Sequence, residues 1–482
     1  VGPIGYKNQD DNHEAFTTKR NISSFSGVFV LAGIIIGSGI FISPNGVFVA
    51  ANNSVGVTLL IWLFGGVVAM LSTLCYCELA TSIPESGSDY TYLSYAYTPA
   101  LGFLLPWMYT FVPCSDAALV LTFAQYAVEP YFVGSKPPEL ALKLVAICLL
   151  FFITAINMCS VRWAVRLQVL LSWFKFIAIS AVVISAIVFC IGDNSVAKHN
   201  FAGAFNKKTM EGITILTLSR SFYQVMFSYD GWNSLCQITE EIQEPGKTIP
   251  KASIAAVAIV TLTYVIINCA YFLVLSADEM TSSKIVALPF ALKAMGGASW
   301  IVPLAVCLCT AGSYSGGVLT SGRSSYVAAR RGHFPRIFAM LHINQYTPSP
   351  ALFLNTIGSI VLIGIGQFNT LIDTFGFVTW TFIGFSSLSV LVLRVRRPDL
   401  VKPYKVPTLI PILMILISLL FVILPVISNP HFLYAYAICF FALGELFYFV
   451  FVYKGYTIPY YLKSTLFLQK LFLVAPEERK IL

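Results

Sequence analysis

Charge is scarce in this chain. Only 11% of its 482 residues are Asp, Glu, Lys or Arg, against about 25% in an ordinary soluble domain. Polar stretches are scarce too. The longest, Val1–Asn21, is too short and too polar to fold alone, so there is no soluble domain of ordinary size and no nucleic-acid surface to look for. Histidine is rare: His13, His199, His333, His342 and His431 all fall in loops or at the ends of apolar runs. That removes histidine-based catalysis and an intramembrane metal cluster from the candidate functions. No disulfide framework is visible, because the eleven cysteines lie almost entirely within apolar segments. Cys75/Cys77 and Cys307/Cys309 are C-x-C pairs in hydrophobic runs, a poor metal signature that reads as small, adaptable packing residues. Neither an enzyme constellation nor a cofactor or metal site is expected.

What remains is hydrophobic: 57% of the residues, with a mean hydropathy of +0.78. Runs of roughly 20 apolar residues mark helices that cross a bilayer, and twelve are found, at about 24–49, 56–82, 98–128, 140–158, 166–191, 212–236, 249–276, 298–323, 348–366, 372–393, 408–428 and 430–452. The expected fold class is therefore an all-α integral membrane protein with twelve transmembrane helices. Its divisions are an N-terminal segment 1–23, a twelve-helix membrane domain 24–452 and a C-terminal segment 453–482. A polar stretch of about 20 residues precedes the first span, so no cleavable signal peptide is expected there. Cations crowd the loops on one side: Lys7, Lys19 and Arg20, then Arg162 and Arg166, Lys247 and Lys251, Arg323 to Arg336, and Arg394 to Lys405. The opposite loops hold far fewer, Lys136, Lys198, Lys207, Lys208, Lys284 and Lys293. Positive charge marks the cytoplasmic side, which places both termini in the cytoplasm. Tyr456–Val474 mixes Tyr, Leu and Phe with Lys463 and Lys470, the pattern of an amphipathic helix on the inner interface.

Two spans are interrupted. In the first, Gly37-Ser38-Gly39 splits an apolar run, and each glycine weakens a helix by roughly 1 kcal/mol against alanine. In the sixth, Ser228-Tyr229-Asp230-Gly231 does the same with an acid. Broken helices in corresponding positions of two halves point to a transporter's binding site. Their separation by five spans suggests a five-plus-five inverted repeat with two further helices. An unwound first span frees backbone N–H groups for a carboxylate at the start of its second half, while carbonyls near Ile35 suit an ammonium. Those two features together fit an α-amino acid. The alternative reading of Gly-Ser-Gly is close helix packing. Asp230 is a charge at membrane depth and so marks a functional site, or else a structural pair with a buried base. Phe227 and Trp232 flank it. Lys175 replaces a coupling cation or pairs with Asp230. Asp116 is either a salt-bridge partner or a second acid on the pathway.

These residues resemble the L-type light chains of heteromeric amino acid transporters, in the amino acid–polyamine–organocation superfamily. The resemblance covers roughly Ser24 to Ala475. It rests on Ile35-Ile36-Gly37-Ser38-Gly39-Ile40-Phe41 with Ser43-Pro44, Cys75-Tyr76-Cys77-Glu78-Leu79, Tyr229-Asp230-Gly231-Trp232-Asn233, Thr239-Glu240-Glu241, Arg331-Gly332-His333-Phe334-Pro335 and Lys405-Val406-Pro407. The run Tyr131 to Pro138 is similar to the b(0,+)-type branch. The resemblance implies a LeuT-like fold with alternating access. Ile35, Ser38 and Gly39 would then hold the α-amino and α-carboxyl groups, and Phe227 would be the outer gate. Ser228, Asp230, Ser115 and Trp380 would line the side-chain pocket, and Lys175 would be a fixed substitute for sodium. Such light chains carry a cysteine that links them to a single-span glycoprotein heavy chain; here that position is Ser135, which leaves only a non-covalent partner. Arg331 replaces an acid common in the family, and Asp116 is unusual. The expected function is sodium-independent exchange of cationic and/or large neutral L-amino acids across the plasma membrane. The alternatives are proton-coupled or facilitative transport of neutral or aromatic substrates, and a sensor or subunit that does not transport.

Overall fold

Inside a bilayer every backbone N–H and C=O must find its partner within the protein, and a helix provides them all locally. The computed structural model of this protein describes residues 23–476 except 86, 133–134, 136, 207–209, 238, 240–241, 284, 346, 367, 429, 431 and 457–460. The expected segment 1–23 lies outside them but for Ser23, and so do Glu240, Glu241, Lys136, Lys207, Lys208 and Lys284. The helices run α1 (Ser24–Ile35), α2 (Gly39–Ala50), α3 (Val55–Ser82), α4 (Asp89–Ala96), α5 (Pro99–Phe111), α6 (Cys114–Val128), α7 (Glu139–Cys159) and α8 (Val161–Gly192). After α9 (Ser195–Ala202) come α10 (Ile215–Ser228), α11 (Ser234–Gln237), α12 (Pro245–Val274), α13 (Ala277–Ser282), α14 (Ala287–Met295) and α15 (Ile301–Arg330). The chain ends with α16 (Ser349–Ile365), α17 (Phe368–Arg396), α18 (Leu409–Ser428), α19 (Phe432–Phe447) and α20 (Tyr461–Phe472). Hydroxyls cap the starts of several: Ser54 accepts from Val57 N–H, and Ser160 accepts from Trp163 N–H.

Nine helices among the described residues are long and apolar enough to cross a membrane, and ten if the bent pair α1–α2 is one span. The remaining expected spans are shorter. Helix α16 has 17 residues and α10 has 14, about 25 and 21 Å of rise against a hydrocarbon core of about 30 Å. The third expected span is split as well. Val112 leaves the helix at φ −128°, ψ 58°, and Pro113 precedes α6, because a proline disfavours helical geometry in the residue before it.

Apolar side chains face outward as well as inward. Only 28% of the most hydrophobic stretch of α18 is buried, although that helix is almost purely apolar. In water such a surface would aggregate; in lipid it is the solvated face. Inside, α3 packs on α12, α6 on α15 and α7 on α16. Helix α8 lies against α15 and α12, just as α17 lies against α6 and α3. Helix α1 lies against α12, as α10 lies against α3. Counting expected spans, the first three contacts join spans five apart, and the others form pairs whose members differ by five spans. A buried ion pair ties α17 to α3 near one end: Arg394 of α17 donates to Glu78 of α3 at 2.8 and 2.6 Å, and Val406 N–H donates to the same carboxylate at 2.8 Å.

The expected amphipathic C-terminal helix is α20, and it leads into a strand that periodicity did not suggest. Strand β1 (Met340–His342) pairs antiparallel with β2 (Val474–Pro476), His342 opposite Val474. Leu468 and Phe472 of α20 cover Ile337, Met340 and Val474.

Candidate functional site

Helix α1 ends where Ile36 turns to φ −69°, ψ 89°, although its N–H still donates to Ala32 carbonyl at 2.9 Å. Helix α2 restarts at Gly39, bent by 54°. A methyl on Gly39 would lie 2.6 Å from Ser228 Cα, and one on Gly37 would lie 3.2 Å from Ser313 Oγ. Close packing is therefore one reason for these glycines. Between them Ser38 is fully buried at the positive end of α2, and its hydroxyl has no hydrogen-bond partner among the described residues. Packing and an open polar site coexist at this break.

The second break follows Ser228. Gly231 takes φ +97°, a left-handed conformation that glycine adopts without cost, and a methyl there would meet Ile34 at 2.8 Å. One phenol joins the two interruptions: the Tyr264 hydroxyl of α12 lies 2.9 Å from Ile35 carbonyl and 2.6 Å from Ser228 carbonyl. Its single proton serves the exposed ends of both half-helices.

The breaks border a cavity of about 900 Å³. Of the residues expected at the site, Ile35, Ser38, Gly39, Ser115, Phe227, Asp230 and Lys175 line it. Ser228 and Trp380 do not. The Ser228 hydroxyl turns back into its own helix, donating to Gln224 carbonyl at 3.0 Å and to Ser43 Oγ at 3.2 Å. Trp380 sits on the far face of α17, edge-on to Phe421 of α18 at 4.5 Å; its neighbour Thr379 lines the cavity instead. Tyr109, Asn355, Phe382 and Asp89 also line it and were missed. Asp89, an acid preceded by Gly87 and Ser88, falls between the expected spans 56–82 and 98–128. It is buried, accepting hydrogen bonds from Tyr76, from Ser386 at 2.5 Å and from Asn233 at 3.5 Å.

Among the described residues the charged ones lining it are Asp89, Asp116, Asp230 and Lys175, three acids against one base. Lys175 does not pair with any of the acids. Its ammonium donates to Gly33 carbonyl at 3.2 Å and to Ser313 Oγ at 3.1 Å, which pins α8 to α1 and α15. No ion pair among the described residues includes Asp230 or Asp116. The cavity extends past Phe29 and Val30 of α1 to Gly87, Ser88 and Gln237. On the other side Phe227 meets Phe375 and Phe368 edge-to-face, at 6.1 and 6.4 Å. Phe368 starts α17, whereas Arg394, near its end, pairs with Glu78. The site is thus open toward one end of the bundle and closed by aromatic rings toward the other.

Interrupted helices around such a cavity agree with the sequence comparison, in which the profile of the amino acid permease family matches residues 22–448. The chain belongs to that family. The match takes in both breaks and the whole cavity lining, and leaves α20 and β2 outside it. The permease is 37% identical to the b(0,+)-type amino acid transporter 1 of Homo sapiens over 474 residues, covering 98% of this chain and 96% of that one. It is 36% identical over 419 residues to a cystine/glutamate transporter of Homo sapiens, covering 86% and 82%. Against the large neutral amino acids transporter small subunit 2 of Mus musculus the identity is 36% over 417 residues, covering 86% and 77%. These relatives are transporters by name, and the permease is a multi-pass membrane protein.

Proposed function

We propose that this permease is a sodium-independent exchanger of cationic and large neutral L-amino acids, working by alternating access in the plasma membrane. The observation that carries the reading is Ser38, a cavity-lining residue buried at a helix start whose hydroxyl has no hydrogen-bond partner among the described residues. That arrangement suits a carboxylate. Carbonyls at the ends of α1 and α10 suit the adjacent ammonium. Ile35, Ser38 and Gly39 accordingly hold the amino acid head, Phe227 gates it, and Ser115 and Asp230 face its side chain. An excess of acid in the lining favours cationic side chains. Lys175 supplies a fixed positive charge between α1, α8 and α15, which supports independence from sodium. The names of the relatives support the substrate class.

The five-span spacing of helix contacts favours twelve spans with a five-plus-five inverted repeat. The open end carries Arg331, Arg394, Arg396 and Arg397 beside Glu85, Glu78 and Asp399, so the positive-inside rule favours a cytoplasmic open end, with both termini, and an inward-facing conformation. Ser135 stands in an exposed bend. A single-span glycoprotein heavy chain, the partner such light chains take, would be held there without a disulfide.

The test is uptake of radiolabelled arginine and leucine into proteoliposomes with and without internal amino acid. Exchange predicts that both need internal substrate and neither needs sodium. Asp230→Asn is expected to lower arginine uptake at least about tenfold while leucine uptake persists, the scale of one charge-assisted contact. Uptake driven by an inward pH gradient with no internal substrate would instead establish proton coupling.

A further inference from the structure

The cavity contains an acid for which the amino acid head has no use. Asp116 lies in the first turn of α6, just past the Pro113 break, and is only 8% exposed. It lines the cavity. Its Oδ1 lies 3.2 Å from where a methyl on Gly317 would stand, so α15 presents bare backbone to the carboxylate rather than a side chain. Its neighbour Asn355, which also lines the cavity, is neutral; its side chain lies within hydrogen-bonding reach of the Asp116 carboxylate and donates to Tyr109 carbonyl at 3.3 Å. Lys175, the one base in the lining among the described residues, is engaged elsewhere. A carboxylate this deep without a cation costs several kcal/mol, a cost that a cation arriving from outside would offset.

Position identifies that cation. The break of the first span touches α15 at Ser313, through Gly37 and through Lys175. Asp116 touches α15 at Gly317. The two points are four residues apart on one helix, a rise of about 6 Å, in the direction in which the cavity is open. That span suits the four-carbon stem between the head of lysine and its ammonium. We infer that Asp116 is a second recognition point, a carboxylate that receives the distal cationic group of a dibasic amino acid whose head lies at the break of the first span. The inference rests on the transporter reading of the cavity. It assigns Asp116 a different role from Asp230: Asp230 makes the pocket tolerant of a cation, and Asp116 gauges how far from the head that cation sits.

Two variants test the assignment in the exchange assay. Asp116→Asn is expected to raise the KM for arginine and lysine relative to that for leucine by about tenfold or more, the effect of losing a hydrogen bond to a charged group. Asp116→Glu keeps the charge and advances it by one methylene, so the preference is expected to move from lysine toward the shorter ornithine. This second readout holds even where the neutral variant does not fold. A basic-to-leucine KM ratio within about twofold of wild type in Asp116→Asn, or an unchanged order of lysine and ornithine in Asp116→Glu, would overturn the proposal while leaving exchange intact. Wild-type protein that exchanges neither arginine nor leucine would overturn the transport reading and this inference with it.

Discussion

Lys175 is the residue whose placement most constrains the chemistry. From sequence alone its ammonium had two candidate partners, a coupling-cation position or Asp230, and the geometry gives it Gly33 carbonyl and Ser313 hydroxyl. Replacing it with methionine retains most of the apolar stem and removes the charge that joins three helices. Lys175→Met is expected to reduce sodium-free exchange at least about tenfold, because a carbonyl at the broken end of α1 loses its charged donor; arginine exchange in choline-based buffer measures this. Which residues carry chemistry was legible where an unusual residue sat in an apolar run, as with Asp230 and Lys175. Which way a side chain points was not. Ser228 and Trp380 lie one residue from the lining residues Phe227 and Thr379, and successive helical positions point about 100° apart. Asp89 escaped notice because its burial comes from Tyr76, Ser386 and Asn233, which lie on distant segments.

At the scale of elements, both interruptions were readable because glycine in an apolar run is a poor helix former. Their mutual contact was not readable, since it joins residues 39 and 228. Gly39→Ala tests it directly. The added methyl would fall 2.6 Å from Ser228 Cα and Oγ, and neither that backbone nor a hydroxyl bonded to Ser43 and Gln224 has room to retreat. The variant is expected to lose about 1–3 kcal/mol of stability and nearly all exchange activity, visible as a lower melting temperature in detergent and as absent uptake. The split at Val112–Pro113 shows the opposite error: hydropathy ran smoothly through it, while the proline carried the information.

For the whole molecule, composition alone established a membrane protein, because exposed apolar surface on this scale has no other solvent. The span count was less secure. Helices α16 and α10, with 17 and 14 residues, are shorter than the apolar runs 348–366 and 212–236 that mark them. Cohesion of the open end depends on contacts that only the folded chain creates. His333, just beyond α15, shares a hydrogen bond of 2.9 Å with the Tyr90 hydroxyl of α4 and meets the Tyr448 ring edge-on at 5.6 Å. Burial, reinforced by the Arg331 charge, holds its imidazole below the usual value of 6.5. The fold therefore prefers neutral His333, and the unfolded chain takes up the proton first as pH falls. The stabilising contribution is complete above the ordinary value and is lost as pH drops through the depressed one. Between pH 7.5 and pH 5, wild type is expected to lose more of its melting temperature than His333→Gln does.

The pairing of β1 with β2 means that the tail is not a passive appendage. Met340–His342 belongs to the link between α15 and α16, and α15 forms one wall of the cavity. Phe472 also packs against Phe353 of α16 at 5.2 Å. A shift of α15 against α16 would therefore pull on the β1–β2 pair, which ties strand β2 mechanically to a wall of a pocket deep in the bundle.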